Sequence, residues 1–312
     1  MENIQLGLCC INTTLRNQKP PIFASRSVML KTFLTNGPPY SKIIENLQNI
    51  ITMMKWNNKA NIHVFRLSSD IFPHKSNPKA PDYSYDFAVH LLKEIGKISK
   101  ELGQRLTFHP GQYNVIGTPH KEIFETTVID LKHHADMLDL MELGIDSVIV
   151  VHGGGVYGNK SLTKQRWCDQ FNLLPENVKS RIVLENCEKN FSIIDCLDIS
   201  EVLDIPIVFD THHFECYKIL HPNEKFNNPR FYIKDILKTW KNIKPKFHIS
   251  EQGKGKIGHH SDYISVIPEY LLEIPKLYNI SIDIMIEAKM KELAIFDLYK
   301  KYNNICLNCL KV

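Results

Sequence analysis

The 312-residue chain has no apolar run long enough to cross a bilayer. Its longest, such as Ser147 to Val151 and Ile205 to Phe209, have the length of strands, whereas a span needs roughly 18 or more residues. The opening stretch MENIQLGLCCINTTL lacks the basic segment followed by a long apolar one that marks a secretory leader. A soluble, intracellular chain with no membrane partner is the expectation. No Gly-x-Gly-x-x-Gly follows the first strand candidate, which runs instead into Cys9-Cys10-Ile11-Asn12, so a dinucleotide-binding sheet is disfavoured. Charge of one sign is also in short supply. Lys and Arg total 38 against 34 Asp and Glu, and the resulting +4 neither indicates nor excludes a nucleic-acid partner. The 8 Cys form no paired framework. Cys9 and Cys10 would point to opposite faces of a strand, and Cys306-Leu-Asn-Cys309 is a lone C-x-x-C without a second pair, so free thiols are expected. With 43% hydrophobic and 23% charged residues, disorder and fibrous folds are excluded.

What is present is a rhythm. Short β-branched runs alternate with helical-period segments eight times. The strand candidates are Ile4–Cys9, Ile62–Leu67, Arg105–His109, Ser147–His152, Arg181–Glu185, Ile205–Asp210, Lys246–Ile249 and Ile282–Glu287. Between them, Ile43, Ile44, Leu47, Ile50, Ile51 and Met54 recur at helical spacing, as do Val128, Leu131, Ala135 and Leu138. A shorter helix is expected from Ser192 to Leu203, opened by a Ser cap. Another should follow Ser261-Asp262 and run through Tyr270 to about Tyr278, and the last should follow Glu287 and end near Tyr302. The stretch Thr211 to Asn228, rich in Asn, His and Pro, reads as a loop over the mouth of the fold. Eight β–α units without a long linker predict a single (β/α)8 TIM barrel spanning residues 1–312.

Barrel enzymes place their chemistry at the C-terminal ends of the strands. Those ends are Asn12, Ser68-Ser69-Asp70, His109, His152, Glu185, Asp210, His248 and Glu287, with His213 three residues beyond Asp210. Strand parity puts Val148, Val150 and His152 on one face, Val183 with Glu185, and Asp283 and Met285 with Glu287, while Ile282, Ile284 and Ile286 face outward. One His at one strand end is more often a satisfied core residue than a ligand. A converging ring of carboxylates and imidazoles is different, because burying it is costly without compensation. Divalent cations supply that compensation, and mixed His and carboxylate ligands suit Zn, Mn or Fe, with more ligands than one ion needs. Glu185, between the His152 and Asp210 ends, is placed to bridge two ions. Lys246 shares the inward face of His248. It either pairs with an inward acid such as Asp283 or serves the site, against phosphate or as a modified ligand. His259 and His260 follow a flexible basic loop, and one of them is in reach of the metals.

These residues lie in recognisable contexts. Phe108-His109-Pro110-Gly111-Gln112-Tyr113, Val151-His152-Gly153-Gly154, Leu184-Glu185-Asn186, Phe209-Asp210-Thr211-His212-His213, Lys246-Phe247-His248-Ile249-Ser250 and His260-Ser261-Asp262-Tyr263 resemble the UV damage endonuclease family. Arg66-Leu67-Ser68-Ser69-Asp70 and Ile286-Glu287-Ala288-Lys289 fit as well, and the resemblance runs from about residue 4 to about residue 295. It implies a barrel with a manganese-preferring cluster of two or three metals, zinc being the other candidate. It implies nicking of double-stranded DNA 5′ of UV photoproducts (pyrimidine dimers and 6-4 photoproducts) in repair by nucleotide excision. Its metal ligands would be His109, His152, Glu185, Asp210, His213, His248, His260 and Glu287. Lys246 matches a Lys that can be carboxylated, and with Glu185 it is the candidate catalytic pair. Gln112 and Tyr113 match residues that wedge into the duplex, and Asn12 one that faces flipped nucleotides. Lys254, Lys256, Lys160, Lys164 and Arg166 are candidates for backbone contacts. Two departures stand out: Leu8 where the family has Tyr, and His74 or Asn77 where it has a His. An endonuclease IV-type apurinic-site enzyme and a metal-dependent sugar isomerase or epimerase share such a barrel, as would a barrel that binds DNA or metal without activity. Gln112-Tyr113 and the inward Lys246 favour the UV reading, and nothing predicts an obligate partner or an oligomer.

Overall fold

The computed structural model describes residues 3–302 and 305. The strands are β1 (Ile4–Cys9), β2 (Val64–Arg66), β3 (Arg105–Thr107), β4 (Ile149–His152), β5 (Ile182–Glu185), β6 (Ile207–Asp210), β7 (Lys246–Ile249) and β8 (Ile282–Ile286). They pair in parallel in the order β3-β2-β1-β8-β7-β6-β5-β4. The ring closes between the outer two. Phe108 bridges to Ile149, its N–H donating to Val148 O at 3.0 Å while Val150 N–H donates to Phe108 O at 3.0 Å. Helices fill the crossovers, so the chain is a (β/α)8 barrel. Among the described residues no helix is long and apolar enough to cross a membrane. Cys306 and Cys309 lie outside the described residues.

Strand parity sorts the apolar residues into two layers. Val148, Val150, Val183 and Val208 form a small cluster with Trp240, and Cys9, Val64 and Met285 form another, both inside the barrel. Ile149, Val151, Ile182, Leu184, Ile282, Ile284 and Ile286 join the large cluster under the helices. The helix Tyr40–Lys59 buries Ile43, Leu47, Ile50, Ile51 and Met54, one stripe of its surface. Ser192 opens the helix Ile193–Leu203 with a capping box: its Oγ accepts from Asp195 N–H at 3.2 Å and Asp195 Oδ2 accepts from Ser192 N–H at 2.9 Å.

Two segments differ from their sequence reading. Thr211 to Leu220 is a helix rather than a loop. Asp210 caps it, Oδ1 accepting from His213 N–H at 2.7 Å, and Phe214 and Tyr217 are buried at a spacing that the surrounding histidines disguise. Conversely, residues 263–268 are not helical. Glu251 holds this strap extended, its carboxylate accepting from Ser265 N–H at 2.5 Å and Val266 N–H at 3.2 Å, until Pro268 precedes the short helix Glu269–Leu272. Glu273 alone separates that helix from the helix Ile274–Tyr278.

The lower interior carries charge. Arg105 Nη1 donates to Asp283 Oδ2 at 2.8 Å, and Lys244 pairs with the other oxygen. Lys246 and Asp283 are neighbours in register, yet Lys246 Nζ donates to Thr107 Oγ1 at 3.0 Å because the carboxylate is already taken.

Candidate metal centre

The strand ends deliver their polar residues to one point. His152, Glu185 and Asp210 are the last residues of β4, β5 and β6; His248 is the third of β7, and Glu287 follows β8 directly. His109 lies just beyond β3, and the first turn of the helix Thr211–Leu220 swings His213 inward. Glu185 is fully buried at the centre. His248 Nδ1 lies 2.7 Å from its Oε1 and His109 Nε2 2.8 Å from its Oε2, with His152 Nε2 at 3.6 Å and His213 Nδ1 at 3.8 Å. Three overlapping sets each bring their ligand atoms within 4.8 Å: His109, His152 and Glu185; His109, His248 and Glu287; Glu185, Asp210 and His213. His260 stands at the edge, Nδ1 3.8 Å from Glu287 Oε2, whereas the adjacent His259 is exposed and turns to Lys254 O at 3.3 Å.

Residues around the ring hold it in place. Asn186 clamps Asp210, Nδ2 donating to its carbonyl and Oδ1 accepting from its N–H, both at 2.9 Å, and Asn186 O accepts from His213 Nδ1 at 3.0 Å. Arg66 Nη1 donates to Glu287 Oε1 at 2.5 Å. These supporting roles were not read from the sequence. The signal for Arg66 was parity, since it lies two residues after the inward-facing Val64.

The donor set fits divalent cations. His109 Nδ1, His152 Nδ1, His248 Nε2, Glu185 Oε2 and Asp210 Oδ2 are buried with no hydrogen-bond partner. Leaving one such atom unpaired costs about 1–3 kcal/mol. Five such atoms on neighbouring residues, all nitrogen and carboxylate oxygen, match the preferences of Mn or Zn rather than of a thiolate-seeking ion. The carboxylates are driven apart. Burial pushes Glu185 up, but His248, His152 and His109 outweigh it and hold the group well below the usual carboxylate range. Burial, with Glu185 and Glu287 adding to it, raises Asp210 to about 7. Burial lowers His152 and His248 to about 4. It also acts to lower His213, yet Asp210, Glu185 and Glu287 prevail and raise it to about 9. Beneath the ring, burial and then Arg105 and Arg66 lower Lys246 to about 7.

The remaining sequence candidates are dispersed. Gln112 and Tyr113 are exposed at the rim, Tyr113 by 63%. Asn12 is fully buried; its Oδ1 accepts from Leu15 N–H at 2.9 Å, capping the turn Thr13–Arg16, and its Nδ2 has no partner. Lys254 and Lys256 are exposed. Lys160 and Lys164 are tied to Asp195, and Arg166 donates to Gly117 O at 2.9 Å, so these three are engaged within the chain. His74 is bonded to Val28 O at 2.8 Å and stands 3.3 Å from Asn77 Nδ2, and Leu8 is fully buried.

A family model described as UV-endonuclease UvdE matches residues 4–310. A putative UV-damage endonuclease of Acanthamoeba polyphaga mimivirus is 41% identical over 98% of this chain and 93% of its own length. The UV-damage endonuclease of Neurospora crassa is 34% identical over 96% of this chain, which spans only 51% of that relative. The crystal structure of SacUVDE superposes with a TM-score of 0.81 at 29% identity, covering 96% of this chain and 99% of that one. Among folds that share a barrel and a polar mouth, these full-length matches decide the matter: the chain belongs to the UV-endonuclease UvdE family.

Proposed function

We propose that this protein is a metal-dependent DNA endonuclease that nicks the phosphodiester 5′ of UV photoproducts, pyrimidine dimers and 6-4 photoproducts, as the incision step of excision repair. The single observation that carries the reading is the buried Glu185, ringed by four imidazoles and flanked by two further carboxylates. The names of the relatives support the substrate. His109, His152, Glu185, Asp210, His213, His248, His260 and Glu287 would hold two or three ions, most simply Mn2+, with Zn2+ as the other fit. When bound, such ions offset phosphate charge, lower the pKa of an attacking water and stabilise the leaving oxygen.

The chain's own residues do the rest. Glu185 belongs to two of the three ligand sets and so joins them. Asn186 and Arg66 keep Asp210 and Glu287 from turning away. Lys246, held near 7, is a neutral amine for much of the time at neutral pH, the form that reacts with carbon dioxide to give a carboxylated side chain. Gln112 and Tyr113, both exposed, would fill the gap left by an extruded dinucleotide. Asn12, three residues beyond β1 with its Nδ2 unpartnered, would face the flipped nucleotides. Lys254 and Lys256 would meet the DNA backbone. The protein is expected to act as an intracellular monomer.

The test is incubation with Mn2+ and a duplex bearing one cyclobutane dimer, beside undamaged, abasic and free-sugar controls. Cutting 5′ of the dimer is the expected outcome. Cutting of the abasic duplex alone, or turnover of a sugar, would overturn the reading. Tyr113→Ala should weaken discrimination of the lesion while metal content stays unchanged.

A further inference from the structure

Gln112 and Tyr113 are the two corner residues of a β-turn. Asn114 N–H donates to Gly111 O at 3.0 Å, closing the turn, and Asn114 Nδ2 donates to the same oxygen at 3.2 Å. Gly111 gives the Tyr113 ring its seat, since a Cβ there would lie 2.4 Å from a ring carbon. Directly after the two exposed residues the chain dives inward, and Asn114 is 3% exposed. Its Nδ2 reaches Asp130 Oδ2 at 2.7 Å.

Asp130 is the unusual partner. It sits mid-way along the helix Lys121–Leu140 and is itself buried. Asp is a poor residue for a helix interior, and a carboxylate is costly to bury without a cation. Yet its hydrogen bonds come from neutral donors on two mouth loops: Asn114 after β3, and the Ser76 hydroxyl after β2, which donates to Oδ1. His134 Nδ1 stands 3.8 Å from Asp130 Oδ2 but is directed to the Asp130 carbonyl at 2.7 Å, and its Nε2 lies 3.0 Å from Ser69 Oγ. One turn earlier, Thr127 Oγ1 accepts from Val115 N–H at 3.1 Å. Thr127, Asp130 and His134 thus form one helical stripe that fastens the segments after β2 and β3.

We propose that Asp130 is a positioning residue for lesion recognition. Through Asn114 it fixes the turn that presents Gln112 and Tyr113, and through Ser76 it locks that turn to the neighbouring loop. The inference rests on the reading of Gln112 and Tyr113 as the residues that enter the duplex. A wedge acts best when ordered before the DNA arrives, because ordering it on binding subtracts from affinity. The amide of Asn114 and the hydroxyl of Ser76 serve this purpose as directional hydrogen-bond donors.

The experiment exchanges the two partners. Asn114→Asp alone sets two carboxylates against each other; Asp130→Asn added to it restores one hydrogen bond with donor and acceptor reversed. Hydrogen exchange of the backbone amides around 111–118 should rise in Asn114→Asp and return toward wild type in the double variant. In parallel, kcat/KM on the dimer-bearing duplex should fall about 10-fold, mainly through KM, and recover in the double variant, with Mn2+ content unchanged throughout. Unaltered exchange in Asn114→Asp, or a double variant no better than the single one, would overturn the proposal. Should Asn114→Asp fail to fold, Ser76→Ala removes one bond to Asp130, and unchanged exchange in both loops would overturn it equally. If the wild type cuts no lesion while the exchange pattern still follows the swap, the anchoring stands and the lesion reading falls.

Discussion

At the N-terminal end of the barrel Asp283 is fully buried, with Arg105 on one carboxylate oxygen and Lys244 on the other. At the C-terminal end Glu185 is equally buried, but its ion-pair partners among the described residues are all imidazoles. The first carboxylate meets permanent cations built into the chain. The second meets imidazoles, His152 and His248 held near 4 and His213 raised to about 9, and atoms with no hydrogen-bond partner accumulate around it. The same scaffold therefore solves one problem, buried negative charge, in two ways. Where the cation is covalently part of the protein the result is a plug; where it is left to be supplied the result is a site.

Exchanging the roles of the two ends is the strongest test. Glu185→Ala should reduce lesion cutting by at least about 10³-fold and remove bound Mn2+, read by a nicking assay and elemental analysis. Retained activity and metal would show that the mouth does not depend on its central carboxylate. Asp283→Asn should instead cost about 3–5 kcal/mol in urea unfolding, since Arg105 and Lys244 lose their counter-charge, while the folded protein keeps its metal. A loss of metal without a loss of stability would erase the distinction between the two ends.

Two smaller effects refine it. Arg66→Met frees Glu287 without touching a ligand, and calorimetry should find Mn2+ bound about 10–100-fold more weakly. Unchanged affinity would make Arg66 part of the plug rather than a support of the site. On the helix Lys121–Leu140, the buried base His133 instead avoids charge by staying neutral. Burial, then His134 and Lys75, hold it well below its ordinary 6.5, and its Nδ1 stands 2.6 Å from the Tyr85 hydroxyl. The unfolded chain accepts a proton there that the folded chain refuses. This contribution is therefore present above pH 6.5 and lost as pH falls below it, by up to about 1.4 kcal/mol per pH unit. His133→Gln should flatten that slope in unfolding measured between pH 6.5 and 5.5, and an unchanged slope would assign it to other groups.

Much of this was legible in the chain. β1 and β7 begin and end where their apolar runs do, and every other strand lies inside its expected run. The residues at their ends do converge, because a polar residue in phase with an inward apolar series has one place to go. The helix Thr211–Leu220 was hidden for the opposite reason. Its buried Phe214 and Tyr217 stand between two histidines and a stretch rich in Asn and Pro, and its cap, Asp210, was read as a strand end and metal ligand. The strap at 263–268 follows from Glu251, a side chain more than ten residues away whose bonds no local pattern announces. The Asp130 carboxylate takes its hydrogen bonds from the loops after β2 and β3, which no local pattern brings to it.

The sequence by itself determined the number of β–α units, the side of each strand that faces inward and the residues that crown the strands, since these depend on backbone periodicity within a few residues. Tertiary structure alone decided which cation meets which carboxylate. Arg105 and Asp283 are 178 residues apart, and only closure of the ring brings them together. Lys246, directly opposite Asp283 in register, found that acid already paired and turned to Thr107, because a buried charge is neutralised by the geometry around it and not by its neighbours in the chain.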